Sequence, residues 1–310
     1  MKIVTLTLNP AFDLHCDIPD FAPYHENLAF LTDCDAGGKG INISRALCKN
    51  GVENLALVVL GDENGTSFEQ ALVRDGVRFC YLTVEGRIRE NITCHTPGVA
   101  ETRISFEGFS LNREQLDRVF ELLAGEVDSD TVVTFTGRAP SGVEMRDVKE
   151  FLTRFVQLGA RLVVDSRSFS LADLRQMKPW LIKPNQEEIS AYLGYPVTDF
   201  EQVAEAAEQL HRDGIANVMV SLGGKGALLA CDEGLFTAVA PEVEVCSTVG
   251  AGDSAIAGFL AAEAVCAQAE KRLKTAVAYG SAACMTHGTK PPMPAEIARL
   301  LPNVQVTRLK

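Results

Sequence analysis

The 310-residue chain contains 46% hydrophobic and 23% charged residues, a balance ordinary for a soluble globular protein with one large α/β domain or two smaller ones. Its net charge of −12 argues against a nucleic-acid-binding surface, so a phosphorylated ligand needs locally gathered cations. Nine scattered cysteines without a C-x-x-C pair, no signal-peptide pattern and no apolar run of bilayer length together predict a cytoplasmic protein without a membrane partner.

Short β-rich runs and one glycine-rich turn make up the first part of the chain. The runs cover residues 2–8, 11–18 and 27–33, the last two as edge strands or a small sheet. Ala36-Gly37-Gly38-Lys39-Gly40-Ile41-Asn42 follows and opens a helix predicted over 41–49. Glycines around a lysine at a helix start suit the close approach of a polar ligand, although an ordinary tight loop has the same composition. Asp13, in the second run, is equally well interpreted as a solvent-facing strand residue.

A second strand-rich block follows a predicted strand at 55–60 and a predicted helix at 65–75. Its three runs, at 78–84, 88–95 and 101–106, alternate in the manner of strands around short turns. Arg87, Arg89 and Arg103 lie in this block with Asn91. Such arginines form either a solvated face or a cationic wall over a ligand.

From residue 113 onward strands and helices alternate. The predicted strands are 131–135, 161–164, 180–182 and 217–222, and the helices are 116–123, 143–158 and 204–213. This spacing implies a mostly parallel sheet with helices on both faces, in which ligands bind at the carboxyl ends of the strands. Glycine-rich or polar motifs nearly all follow predicted strands, at 37–42, 137–142, 165–167, 183–188, 223–226 and 250–253. Their agreement favours one shared site.

The stretch Ser247-Thr248-Val249-Gly250-Ala251-Gly252-Asp253-Ser254 predicts an anion site. A β-favouring run at 243–245 precedes it and an apolar helix over 255–267 follows, which indicates a strand, a glycine turn and a helix N-terminus. Unpaired first-turn amides and the helix dipole attract an anion there. Asp253 is then either a helix-cap acid or a base beside a transferring phosphoryl group.

Two other phosphate-binding patterns fit less well. Gly250-Ala251-Gly252-Asp253-Ser254-Ala255 matches a dinucleotide fingerprint, but residues 271–283 look helical where an acid after a second strand is needed. The sequence has no G-x-x-x-x-G-K-[ST] loop. A nicotinamide-dependent oxidoreductase is therefore disfavoured.

The spacing Asn185-x-x-Glu188 places an amide and a carboxylate at the start of a helix, close to a strand end. Such a pair can hold a hydrated Mg²⁺, which prefers oxygen ligands and keeps its waters. A helix N-terminal acid without a metal is the alternative.

The motifs taken together resemble the PfkB (ribokinase-like) carbohydrate kinases from about residue 1 to about residue 290. The resemblance lies in Asn9-Pro10-Ala11-x-Asp13, Gly37-Gly38-Lys39-Gly40-Ile41-Asn42, Lys183-Pro184-Asn185-x-x-Glu188 and Val249-Gly250-Ala251-Gly252-Asp253-Ser254. It is strongest to the branch that acts on phosphorylated ketohexoses. It implies a single domain over residues 1–310 with a three-layer αβα core, a mostly parallel sheet and a small β lid at about 12–33 and 78–107.

The resemblance also implies roles for individual residues. The implied catalytic residues are Asp253 as base and Gly250, Ala251 and Gly252 as anion hole. The implied ligands of ATP are Lys183, Asn185, Ser221, Gly223 and Gly226, with Asn185 and Glu188 organising Mg²⁺ through water. The implied sugar-phosphate contacts are Asp13, Gly37, Gly38, Lys39, Asn42, Arg89 and Asn91.

Two positions depart from the family pattern. Arg138 stands where relatives have a small hydroxyl residue, and Thr93 stands where the phosphoketohexose branch has a lysine. Arg138 is therefore added to the predicted substrate site as a compensating cation.

The implied activity is transfer of phosphate from ATP to fructose 1-phosphate, giving fructose 1,6-bisphosphate. Tagatose 6-phosphate, fructose 6-phosphate, an unphosphorylated sugar or a nucleoside are alternative acceptors, and a non-catalytic sugar-phosphate sensor is a further alternative. The exposed lid also predicts a homodimer.

Overall fold

The computed structural model describes residues 1–98 and 101–310, and within these ranges it contains a ten-stranded and a four-stranded sheet. The strands are β1 Lys2–Thr7, β2 Ala11–Asp17, β3 Phe30–Gly37, β4 Leu55–Gly61, β5 Phe79–Val84, β6 Arg89–His95, β7 Thr102–Ser105, β8 Thr131–Thr136, β9 Arg161–Asp165, β10 Leu181–Ile182, β11 Asn217–Ser221, β12 Ala227–Cys231, β13 Gly234–Val239 and β14 Gln305–Arg308. The helices are α1 Lys39–Lys49, α2 Gly65–Arg74, α3 Arg113–Ala124, α4 Met145–Gln157, α5 Leu171–Met177, α6 Gln186–Leu193, α7 Phe200–Arg212, α8 Ala251–Glu263, α9 Ala269–Ala283 and α10 Pro294–Leu300.

The large sheet has the order β14-β13-β12-β11-β10-β9-β8-β1-β4-β5. Its strands pair in parallel from β11 to β5, and an antiparallel edge of β12, β13 and β14 completes it. The central strands are apolar on both sides because helices cover both faces. Val4 and Leu6 of β1 face one hydrophobic cluster, with Phe68 of α2, and Ile3 faces the other, with Phe259 of α8. The predicted three-layer αβα core is confirmed.

The small sheet, called the lid below, has the order β3-β2-β6-β7. Its central pair, β2 and β6, is parallel, with Asp13 opposite Asn91, whereas β3 and β7 pair antiparallel at its edges. β3 extends to Gly37, beyond the predicted end at residue 33, so a lid strand runs almost directly into α1. Residues 99 and 100, inside the predicted lid range, lie outside the described residues.

One segment assigned to the lid from the sequence belongs to the core. β5 pairs in parallel with β4 at the edge of the large sheet. An edge strand is covered less completely than a central one, and here Leu82 and Val84 are buried while Tyr81 is 42% exposed. This alternation is the same as that of a lid strand, so the local pattern does not distinguish the two sheets.

The run at 243–245, predicted to be a strand, has no strand structure. Val245 is 57% exposed, and two valines without a neighbouring strand have no ladder to join. α8 also begins at Ala251, four residues before the predicted start, so the glycine turn itself forms the helix N-terminus. None of the helices in the described ranges has the length and apolar character needed to span a bilayer.

Candidate active site

A polar cleft lies between the lid and the carboxyl ends of the central strands. Its walls are formed by Asp13, Gly38, Lys39, Asn42, Arg89, Asn91, Arg103, Asp165, Lys183, Val249, Gly250, Gly252, Asp253 and Thr289. These residues come from both glycine-rich loops, from the lid and from the ends of β9 and β10. The predicted convergence of the motifs on one site is therefore seen for most of them.

Asp253 sits in the first turn of α8, facing this cleft. Gly250, the N-cap, has a φ of 79°, a left-handed conformation that glycine adopts without strain, and no side chain in the described part of the chain caps the turn. Asp253 is only 5% exposed, and Asn42 Nδ2 donates a hydrogen bond to its Oδ2 at 2.9 Å. Burial raises the pKa of Asp253 to about 6, against the opposing effects of Lys39 and Asn42. The carboxylate is thus able to take up a proton near neutral pH.

Asp165 holds two lysines beside the glycine turn at residues 250–252, which is called the anion loop below after its predicted role. Its Oδ2 lies 2.8 Å from Lys39 Nζ and its Oδ1 lies 3.5 Å from Lys183 Nζ. Burial alone would raise the pKa of Asp165, but the two ammonium groups outweigh it and lower the pKa. A Cβ at Gly252 would lie 3.0 Å from Lys183 Nζ, so a glycine at this position lets the ammonium group approach the helix N-terminus. Positive charge is thereby concentrated in an acidic protein.

The lid contributes a buried carboxylate and amide. Asn91 Nδ2 donates to Asp13 Oδ1 at 2.8 Å, while Arg89 donates to Asn91 Oδ1 at 2.9 Å and to Asn9 Oδ1 at 3.1 Å. Burial raises the pKa of Asp13 despite these neighbours. A Cβ at Gly37 would lie 2.1 Å from Asp13 Oδ2, so only glycine leaves room for this carboxylate. Asp13 is therefore a cleft residue and not a solvent-facing one.

Three arginines gather where the lid meets the core. The pKa of Arg89 is lowered by burial first, although Asp13 opposes this, and then by the positive charges of Arg138 and Arg103. Arg103 and Arg138 are both exposed, but Arg103 lines the cleft and Arg138 stands outside its walls. The structure thus places Arg138 near Arg89 but does not bring it into the cleft.

The predicted ATP residues divide into two groups. Lys183 lines the cleft, but Ser221, Gly223 and Gly226 lie at the end of β11, outside its walls. Gly226 has a φ of 106° and packs so closely on β13 that a Cβ would lie 1.9 Å from the Ala238 carbonyl oxygen. A structural need therefore accounts for Gly226, and nucleotide binding at these three positions stays a prediction.

Asn185 and Glu188 form the capping box of α6. Asn185 Oδ1 accepts from the Glu188 amide at 2.8 Å, and Glu188 Oε2 accepts from the Asn185 amide at 2.9 Å. Arg167 donates to Glu188 Oε1 at 2.7 Å. Each Glu188 carboxylate oxygen keeps a second lone pair, so it can accept a further hydrogen bond from a water of a hydrated Mg²⁺. Within residues 1–98 and 101–310, no group of three or more His, Cys, Asp or Glu side chains is arranged to hold a metal ion.

Besides Val249, which lies in the predicted anion stretch, three cleft residues were not assigned from the sequence. Asp165 ends β9, so the rule that ligands bind at strand ends identifies its motif but not its partners. Arg103 was one of several arginines in a lid block, and spacing alone does not separate it from Arg87. Thr289 follows no strand and carries no local signal.

Comparison with known proteins identifies the family to which this chain belongs. Residues 11–296 match the model described as "pfkB family carbohydrate kinase". The chain is 32% identical to the 1-phosphofructokinase of Escherichia coli strain K12 over 91% of this chain and 90% of that one, and 32% identical to the 1-phosphofructokinase of Bacillus subtilis strain 168 over 99% and 100%. A crystal structure of phosphofructokinase-2 from Escherichia coli with substrates and products superposes with a TM-score of 0.91 at 28% identity, covering 98% and 99% of the two chains. The chain belongs to the pfkB family of carbohydrate kinases and is an ATP-dependent sugar kinase.

Proposed function

We propose that this kinase transfers the γ-phosphoryl group of ATP to a hydroxyl of a phosphorylated ketohexose, with fructose 1-phosphate as acceptor and fructose 1,6-bisphosphate as product. The observation that carries the proposal is the buried Asp253 carboxylate, with a pKa of about 6, at the uncapped N-terminus of α8. A base and an anion hole on one turn are what in-line phosphoryl transfer needs. The two curated relatives described above carry the name 1-phosphofructokinase.

In the proposed reaction, Asp253 removes the proton of the acceptor hydroxyl. The acceptor oxygen forms a bond to the γ-phosphorus while the bond from that phosphorus to the ADP oxygen breaks, and ADP leaves with the electron pair. The amides of Gly250, Ala251 and Gly252 and the ammonium of Lys183 stabilise the transferring group. The Ala251 amide also lies 3.4 Å from the Thr248 carbonyl oxygen, so its contact with the anion replaces a long hydrogen bond. Bound Mg²⁺, held through water by Asn185 and Glu188, would neutralise phosphate charge.

Binding of the acceptor is assigned to the lid side of the cleft. Asp13, Asn42 and Asn91 offer carboxylate and amide groups for sugar hydroxyls, and Gly37 leaves room for the Asp13 carboxylate. Gly38 also lines this side of the cleft. Lid closure over the bound sugar would exclude water and so limit ATP hydrolysis.

The acceptor's own phosphate is assigned to the arginines of the lid. We expect Arg103→Met to raise the KM for fructose 1-phosphate by about 10-fold or more while the KM for ATP stays unchanged, because a charge-assisted hydrogen bond to phosphate contributes about 1.5–3 kcal/mol. Steady-state kinetics with each substrate varied in turn measures this. Arg87→Met is the matched control, since Arg87 lies in the same block, is 56% exposed and pairs with Glu90. Equal effects of the two substitutions would contradict the assignment.

An acceptor panel tests the proposed substrate. Fructose 1-phosphate, fructose 6-phosphate, tagatose 6-phosphate, fructose, ribose and adenosine would each be incubated with ATP and Mg²⁺, and transfer followed by phosphorylated product. A preference for fructose 1-phosphate supports the proposal. Preference for another phosphoketose changes the substrate but keeps the arginine site, and transfer only to unphosphorylated acceptors contradicts that site.

We also propose a homodimer that forms through the lid. Phe30 and Leu31 at one edge of the lid and Ile104 at the other are 54%, 59% and 47% exposed, more apolar surface than a freely solvated sheet needs. Light scattering of the unmodified protein is expected to give twice the mass of one chain. Leu31→Asp is expected to give the mass of one chain, with an unchanged circular dichroism spectrum. A single mass for the unmodified protein would contradict this proposal.

A further inference from the structure

We propose that the Thr289 hydroxyl donates a hydrogen bond to the phosphoryl group as it is transferred, acting as a side-chain member of the anion hole. The inference rests on the proposed phosphoryl transfer at Asp253. It assigns a catalytic role to a residue outside every glycine-rich motif.

The Thr289 hydroxyl is a polar group that forms no hydrogen bond with another described residue of the protein. The residue lines the cleft and is 6% exposed, and its Oγ1 is buried without a hydrogen-bond partner among residues 1–98 and 101–310. A buried hydroxyl that lacks a partner costs free energy. Thr7, Thr134 and Thr136 share this property, but of these four threonines Thr289 is the one that lines the cleft, where a ligand can supply the partner. A hydroxyl rotates freely about its C–O bond and can donate to an anion that enters the hole.

Thr289 lies on the side of the cleft where the transferring phosphoryl group is proposed to bind, and not on the sugar side. A Cβ built on Gly250, the N-cap of α8, would lie 3.9 Å from Thr289 Cα. The sugar-side residues Asp13 and Asn91 are already hydrogen-bonded to each other across the lid. The hydroxyl therefore adds to the amide donors of the anion loop. A donor aimed where charge develops stabilises the transition state more than the bound substrate.

The lid contacts both neighbours of Thr289. His15 of β2 packs on Gly288, where a Cβ would lie 2.6 Å from the His15 Nε2, and Lys290 forms an ion pair with Asp33 of β3. Thr286 Oγ1 also donates to the Lys290 carbonyl oxygen at 2.8 Å and so closes this loop on itself. These lid contacts hold the loop that carries Thr289 beside the anion loop, and Lys290 is a positioning residue for it.

The first test removes the hydroxyl while keeping the shape. Thr289→Val is expected to lower kcat by about 10²-fold, the effect of losing one donor of this kind, with the KM for the acceptor nearly unchanged. Thr289→Ser keeps the hydroxyl and should restore kcat to within a few-fold of the unmodified enzyme. Thr134→Val is the matched control, since Thr134 is also buried with an unpartnered hydroxyl but lies within β8, away from the cleft. It should leave kcat unchanged.

The second test measures binding of a transition-state mimic and, separately, the coupling between Thr289 and the lid contact of Lys290. ADP with aluminium fluoride and acceptor forms a complex that mimics the transferring group and inhibits the enzyme. Thr289→Val should raise the inhibition constant of this mimic by about the same factor as it lowers kcat, while ATP affinity changes little. Lys290→Met should lower kcat less, and should have no further effect in the Thr289→Val background. Additive effects in this cycle would overturn the positioning role.

An unchanged kcat in Thr289→Val, or a loss that Thr289→Ser does not restore, would overturn the hydroxyl's role. These outcomes are distinct from failure of the proposed function, in which the unmodified enzyme itself transfers no phosphate to any phosphoketose. All variants are therefore assayed with whichever acceptor the panel identifies.

Discussion

Asp253→Asn is expected to lower kcat by about 10³-fold while ATP still binds with nearly unchanged affinity. The amide has the size of the carboxylate and can still accept the hydrogen bond from Asn42, but it cannot take up a proton. General-base catalysis contributes about 10²- to 10⁴-fold, so the loss should lie in that range. Single-turnover phosphate transfer measures the chemical step, and nucleotide binding measured by calorimetry is its control. Turnover close to that of the unmodified enzyme would remove Asp253 from the role of base.

The pH dependence provides an independent check on Asp253. Since the pKa is about 6, kcat/KM of the unmodified enzyme should fall about tenfold per pH unit below that value, as the base becomes protonated. The residual activity of Asp253→Asn should lack this limb.

The same pKa also predicts the effect of Asp253→Asn on stability. The folded protein binds this proton more tightly than the unfolded chain, so the stability associated with Asp253 is present below its unfolded pKa and is lost as pH rises through about 6. At pH 8 the substitution removes a buried charge and should leave the Tm equal to or above that of the unmodified enzyme. A lower Tm would mean that lost activity reflects damaged folding.

Asp165→Asn should destabilise the protein and also reduce its activity. It leaves the ammonium of Lys183, whose side chain is 7% exposed, without its ion-pair partner, and breaking a buried pair in this way costs about 3 kcal/mol or more. Lys39 is 42% exposed, and solvent screens much of its share. We expect a Tm lower by about 5 °C or more and kcat/KM lower by about 10²-fold, because both cations lose their fixed positions beside the anion loop. Calorimetry and steady-state kinetics measure the two effects.

A surface pair provides the control for Asp165→Asn. Asp128 lies 2.9 Å from Lys2 and both side chains are about half exposed, at 51% and 52%, so Asp128→Asn should leave Tm and kcat/KM close to their original values. The lowered pKa of Asp165 also fixes the sign of its pH dependence. Its stabilising effect is present above the unfolded pKa and is lost as pH falls through the folded value, so the Tm difference from Asp165→Asn should shrink in acid. A constant difference would contradict the ion-pair explanation.

Local chemistry made much of the fold predictable. The alternation of strands and helices after residue 113 follows from periodicities that each segment displays by itself, and glycine-rich turns at strand ends mark one edge of a parallel sheet. Errors arose where a local pattern does not specify which strand, if any, it pairs with. β5 alternates as a lid strand does, and only its pairing with β4 assigns it to the core. The run at 243–245 has β-favouring residues but no strand to pair with.

The sequence by itself determined the family motifs and the placement of Asp253 directly after the glycine-rich turn at 250–252, because these depend on residues that are close together in the chain. Tertiary structure alone decided which distant residues meet that acid. Asn42, 211 positions away, donates to it, and Asp165 fixes lysines from two other segments. It also decided that Arg138 stays outside the cleft while Arg103 and Thr289 enter it. The physical reason is that burial and charge, which set pKa values and leave a hydroxyl without a partner, are properties of the packed neighbourhood and have no local period in the sequence.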